Sequence, residues 1–120
     1  MQITNEKLKK AILTALADKE MLNIINISKE NSASGNEIIK KLNISHSTAY
    51  RKIKWMLDNE LLVVEKMNFT PDGKKFSLFR STISAANIRY EEKSIMVEAQ
   101  RNVNILDSAT KRFFSLEDLE

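Results

Sequence analysis

Ile44-Ser45-His46-Ser47-Thr48-Ala49-Tyr50-Arg51-Lys52-Ile53-Lys54 holds a helix start, an apolar stripe and a polar stripe in one short stretch. Ser45 is the natural N-cap, because its hydroxyl can accept from a backbone N–H that the first helical turn leaves unpaired. Ala49, Ile53, Met56 and Leu57 then recur at i, i+4, i+7 and i+8. That spacing predicts a helix over about 46–59 with one buried face. The opposite face near its start carries Ser47, Tyr50, Arg51 and Lys54, while His46 and Thr48 fall in the first turn. Free N–H groups there also favour an anion.

Working upstream, Ser34-Gly35-Asn36-Glu37 fits a capping box and opens a short helix with Ile38, Ile39 and Leu42 apolar. Asn43-Ile44-Ser45 breaks it, so two helices are joined by a tight turn. Ala49 is small, as a close crossing of two helices requires. Leu8, Ala11, Ile12, Ala15 and Leu16 predict an earlier helix over 5–17. Asp18 is placed to cap another over about 19–28, with Leu22 and Ile25 inward and Ile24 and Ile27 widening its apolar surface. Lys29 to Ala33 reads as a loop.

Downstream the period changes from helical to extended. Leu61 to Phe69 is rich in β-branched and apolar residues, and Lys74 to Thr82 follows after Thr70-Pro71-Asp72-Gly73. Pro fixes φ and Gly permits positive φ, so that tetrapeptide is a turn and the two runs a hairpin, about 61–82. A second, weaker pair is expected at Ile83 to Tyr90 and Ser94 to Gln100, across Glu91-Glu92-Lys93. Val103, Leu106, Ala109, Phe113 and Leu116 have helical spacing, giving an expected tail helix over about 103–116. Trp55 is expected to pack against the base of the first hairpin or the tail. The length of 120 residues supports one domain, with 1–82 as its functional part and 83–120 as a C-terminal extension that is a candidate dimerisation element.

Composition removes many classes. No Cys excludes disulfides, thiolate metal sites and cysteine nucleophiles, and the single His46 cannot build a multi-histidine metal centre. No P-loop, dinucleotide fingerprint or zincin helix is present. No enzyme activity, cofactor or metal is therefore expected. No apolar run reaches the ~20 residues that span a bilayer, and no signal segment opens the chain, so no membrane partner and a cytoplasmic location are expected. The charge is uneven: residues 1–39 are neutral, 40–80 carry net +5, and 81–120 carry net −2. A basic middle flanked by neutral and acidic segments suits a polyanion or is a solvated basic face.

Helix, tight turn, helix and hairpin follow the order of a winged helix-turn-helix, so the expected fold is α+β with an extra N-terminal helix and a C-terminal strand and helix extension. In that geometry the second helix presents its N-terminal polar face to the major groove, and the first braces it. The expected DNA-binding residues are His46, Ser47, Thr48, Tyr50, Arg51 and Lys54 on the helix, with Lys74 and Lys75 at the hairpin tip. Arg51 can bond a guanine edge bidentately. His46 is either such a contact or an exposed polar residue of the first turn.

The phrase Ile44 to Lys54 resembles the recognition segment of the ArsR-like prokaryotic transcription regulators, small archaeal ones especially. Ala15-Leu16-Ala17-Asp18 is similar to the opening of that family's first long helix. Asp72-Gly73-Lys74-Lys75 with Leu78-Phe79-Arg80-Ser81-Thr82 is similar to its wing. The resemblance covers about 10–82 and implies a regulator that binds double-stranded DNA. Two departures stand out. Glu60 occupies the place of a usual Gly before the wing, which leaves the end of that helix open, and Asn59 could take the left-handed conformation there. The Cys and His clusters of metal-sensing members are missing.

The expectation is a sequence-specific repressor acting as a homodimer, with the N-terminal helix and the Phe-bearing tail as dimer surfaces. The alternatives are a winged-helix module that docks a protein, or a non-specific nucleic-acid coater.

Overall fold

The computed structural model describes residues 1–103 and 105. The expected tail helix lies outside the described residues apart from Val103 and Ile105. α1 (Glu6–Ala17) starts at Asn5, whose side chain accepts from Leu8 N–H, and it buries Leu8, Ala11, Ile12 and Ala15. Asp18 then extends the chain and caps α2 (Lys19–Ser28) by accepting from Met21 N–H. The buried face of α2 is Met21, Ile24, Ile25 and Ser28. Leu22 was expected inward. It is only half-buried, because the face at i, i+3, i+4 and i+7 begins at Met21 and leaves Leu22 turned aside.

The segment after α2 is not all loop. Ala33–Ser34 forms β1, which pairs with Phe79 and Leu78. α3 (Gly35–Leu42) follows with both hydrogen bonds of the capping box in place, Glu37 N–H to Ser34 Oγ at 3.1 Å and Ser34 N–H to Glu37 Oε1 at 3.3 Å. Asn43 ends it in the left-handed region at φ 53°. Two residues later α4 (His46–Asp58) starts at its Ser45 cap.

α4 ends in a Schellman arrangement. Glu60 N–H bonds to Leu57 C=O and Leu61 N–H to Met56 C=O, which requires a left-handed residue between them. That residue is Glu60 at φ 61°, not Asn59. Asn59 stays near the helical region because both its N–H and its side-chain amide donate to Trp55 C=O.

β2 (Leu62–Phe69) and β3 (Lys75–Ser81) pair antiparallel around the predicted turn, from Leu62 opposite Ser81 to Phe69 opposite Lys75. A bulge between Val64 and Lys66 leaves Glu65 without a cross-strand partner. The sheet order is β1-β3-β2. β4 (Ile83–Glu91) and β5 (Ser94–Arg101) form a separate two-stranded sheet. Residues 1–3 lie along the free edge of β5, with Ile3 N–H on Val97 C=O and Ala99 N–H on Met1 C=O.

The fold is α+β, a winged helix-turn-helix of α3, α4 and the β2–β3 wing with helices before it and a second hairpin after it. The core crosses residue 82: Ile83, Val97 and Ala99 pack in the same buried cluster as Ile3, Leu8, Ile12, Ile53 and Leu61. Asn102 is fully buried and ties the second hairpin down, its amide donating to Lys29 C=O and Ser81 C=O. Trp55 is half-buried against the core cluster. The apolar face of α1, an expected dimer surface, is buried within its own chain.

Candidate nucleic-acid interface

The helical period separates α4 into two faces. Ala49, Lys52, Ile53 and Met56 are buried. His46, Ser47, Tyr50, Arg51, Lys54 and Asp58 are exposed. Of the eight residues expected to contact DNA, the six on α4 thus share its N-terminal, outward side, except that Thr48 is half-buried. Its hydroxyl and that of Ser47 lie 2.9 and 3.3 Å from Ser45 Oγ, so both hydroxyls cluster at the cap. Arg51 makes no ion pair among the described residues and leaves its five donors to solvent. Lys54 bonds Asp58 one turn on at 3.1 Å, an exposed pair of little energetic weight that an incoming phosphate can displace.

Tyr50 is half in and half out. Its ring stacks on His46 at 6.1 Å between centroids, and its hydroxyl end lies over Gly35 at the start of α3. A β-carbon at Gly35 would sit 2.7 Å from Tyr50 Cζ and closer to the hydroxyl. Glycine is needed there to let the tyrosine lie down. Beyond Tyr50 a groove of about 260 Å³ opens between α3 and the wing, lined in part by Asn36, Met67, Lys75 and Ser77. Lys74 and Lys75 are exposed at the wing tip, and Lys66 on β2 is exposed as well.

Sequence reasoning missed Lys52. It reads as another surface cation of a basic helix, yet it is buried, with Nζ 2.8 and 2.7 Å from the two Asp18 oxygens and 3.7 Å from Glu20. Burial alone pushes the Asp18 carboxyl up, but the Lys52 ammonium and Met21 N–H outweigh it and hold Asp18 below its ordinary value. One carboxylate therefore caps α2 and fixes how α4 is rotated about its axis. The wing root has a second such pair, Arg80 Nε to Glu65 Oε2 at 3.0 Å, on the residue that the bulge frees.

The described residues contain no group of His, Cys, Asp or Glu placed to hold a metal ion. No described helix is long and apolar enough to cross a membrane.

No family model and no curated protein matches the chain. Among solved structures it is similar to HlyU from Vibrio cholerae N16961, at 16% identity over 97% of this chain and 95% of that one, with a TM-score of 0.46.

Proposed function

We propose that this chain is a DNA-binding transcription regulator of the ArsR-like kind. It reads double-stranded DNA with the outward face of α4 and holds phosphates with the wing. The observation that carries this reading is the exposed stripe Ser47, Tyr50, Arg51 and Lys54 beside an exposed, lysine-bearing hairpin, in the most basic part of the chain. A helix of that width fits the ~12 Å major groove. Arg51 supplies base discrimination, and Lys54, Lys74 and Lys75 supply the phosphate neutralisation that dominates affinity. His46 and Thr48 approach phosphate at the helix start. Binding across a promoter would repress by occlusion.

One winged helix offers a small interface, so the active species is a homodimer on half-sites about one helical turn apart. Ile88, Tyr90 and Ile95 are exposed on the second hairpin and offer an apolar face for the twin. A monomeric mass at micromolar concentration, with and without DNA, would remove the dimer.

The test is selection from a random DNA library at about 150 mM salt, where the Debye length is short enough to suppress weak ionic binding. An enriched motif, palindromic for a dimer, is the expected result. Binding without enrichment would point to a non-specific coater. Arg51→Ala should weaken the selected site by about 1–3 kcal/mol and relax one base position. The same apolar hairpin face favours a second reading, a protein-docking module, in which Arg51→Ala changes nothing measured on DNA.

A further inference from the structure

The wing is more than a pair of lysines. The register puts Val64 opposite Phe79, Met67 opposite Ser77, and Phe69 opposite Lys75. These pairs share one face of the hairpin, and Ser77 Oγ lies 3.4 Å from Met67 Sδ. Met67 and Ser77 line the groove beside Tyr50, so this is the face turned toward α4. On it Val64, Met67 and Phe69 are 44%, 42% and 64% exposed. A soluble hairpin with one solvated face would place polar residues there.

Charge says what covers this face. Lys75 stands directly across from Phe69, Lys74 adjoins it, and Lys66 is on the same strand. The turn's one acid, Asp72, is engaged by the Thr70 hydroxyl. An apolar side chain beside Lys74 and Lys75 suits a polyanion whose charged rails border apolar walls. The minor groove is such a surface, with sugar and base edges between two phosphate chains and a width of ~6 Å. Reach is adequate too. Phe69 lies two residues beyond Met67, about 7 Å farther from α4 along the strand. The tip is pre-organised: Thr70 N–H bonds Lys74 C=O at 2.8 Å, Gly73 N–H bonds Thr70 C=O at 2.9 Å, and Lys74 N–H bonds Thr70 Oγ1 at 2.9 Å.

We infer that Phe69 is an apolar wedge that enters the minor groove flanking the site read by α4, with Lys74 and Lys75 on the bordering phosphates. This rests on the DNA-binding reading. It adds a specificity element, because apolar wedges enter and unstack A·T-rich or flexible steps at least cost. Guanine's amino group occupies the minor-groove floor, so G·C pairs should be disfavoured at the wing position.

The experiment uses the whole chain and the selected duplex. Each flanking G·C pair is replaced in turn by A·T or by inosine·cytosine, which keeps the major-groove pattern of G·C but lacks the minor-groove amino group. The wild type should prefer A·T and inosine·cytosine alike over G·C by about tenfold at one or two flanking positions. Phe69→Ala should bind about tenfold more weakly to the preferred duplex and lose the preference, with its salt slope unchanged. Phe69→Trp should retain both. Equal affinity and preference in Phe69→Ala, or a flank indifferent to the amino group, overturns the wedge while leaving the regulator reading intact. No enrichment by the wild type overturns both.

Discussion

The two hairpins have nearly the same length and differ in what surrounds their tips. The wing, 62–81, carries net +2, and its tip is a five-residue connection closed by Pro, Gly and three hydrogen bonds. The second hairpin, 83–101, is neutral and turns on Glu92 and Lys93, at φ 48° and 72°. Both expose apolar side chains, Met67 and Phe69 on one, and Ile88, Tyr90 and Ile95 on the other. Those of the wing stand beside Lys74 and Lys75 in a strand pair of net +2, whereas on the neutral second hairpin Ile95 shares a groove with Lys9, Lys10 and Lys93 but also with Glu6, which pairs with Lys9. Exposed apolar surface alone therefore does not name a partner. The net charge of the hairpin that carries it is what separates the two proposals, DNA for the wing at +2 and a twin for the neutral second hairpin.

Each hairpin has a polar root, and the two meet at Lys29 C=O, which accepts from Arg80 Nη1 at 3.5 Å and from Asn102 Nδ2 at 2.6 Å. Cutting either root is the most damaging test of how far the hairpins are independent. Arg80→Met strands the Glu65 carboxylate, which is only 11% exposed, and should cost about 3 kcal/mol of stability in urea unfolding. It should also weaken DNA binding, because the bulge and wing angle depend on that pair. Asn102→Ala leaves the Lys29 and Ser81 carbonyls short of a donor and should cost about 2 kcal/mol. The folded fraction of that variant should bind DNA as the wild type does. Lost affinity in folded Asn102→Ala would mean that the second hairpin belongs to the DNA interface.

Two smaller changes sharpen the contrast. Gly35→Ala obstructs only the far end of Tyr50, so stability should move by less than about 1 kcal/mol, and the added helix propensity works in its favour. DNA affinity should nevertheless fall by about 1 kcal/mol, since the tyrosine must leave the groove beside the wing. Lys93→Gly relieves a left-handed non-glycine residue and should raise stability by about 1 kcal/mol in thermal unfolding, without effect on DNA. A tighter or looser DNA complex in Lys93→Gly would again join the two hairpins.

What could be read from the sequence was what is local. Asp18, Ser34 and Ser45 cap helices through bonds to a backbone N–H three residues on, so each residue and its partner stand in one window. The wing turn is equally local. The period itself puts Lys52 on the buried face, three residues after Ala49 and four before Met56, but its partner was illegible because Asp18 lies 34 residues away. Glu60 was illegible for another reason. The helix end needs a left-handed residue, and a sequence rule looks for Gly or Asn. Here Asn59 is spent on Trp55 C=O and the strain falls on its neighbour. Of the candidate site, the α4 stripe followed from period alone. The Tyr50–Gly35 contact and the face of Phe69 need the packing of α3 and the register of β3.

The smallest expected effect is the cleanest on the comparison. Lys75 and Lys93 are both exposed lysines near a hairpin tip, and neither makes an ion pair among the described residues. Replacing either with Ala should leave stability within about 0.5 kcal/mol. If the wing lies on phosphate, Lys75→Ala removes one released counterion, and the slope of log K against log salt should shrink by about 1. That lowers affinity for all sequences alike, because a phosphate contact carries no base information. If the second hairpin lies off the DNA, Lys93→Ala should leave both slope and affinity unchanged, since it then releases no counterions. Equal slopes in the two variants would place the hairpins in the same electrostatic role and take the wing off the phosphates. A change in which sequence Lys75→Ala prefers would instead mean that the lysine itself reaches a base edge.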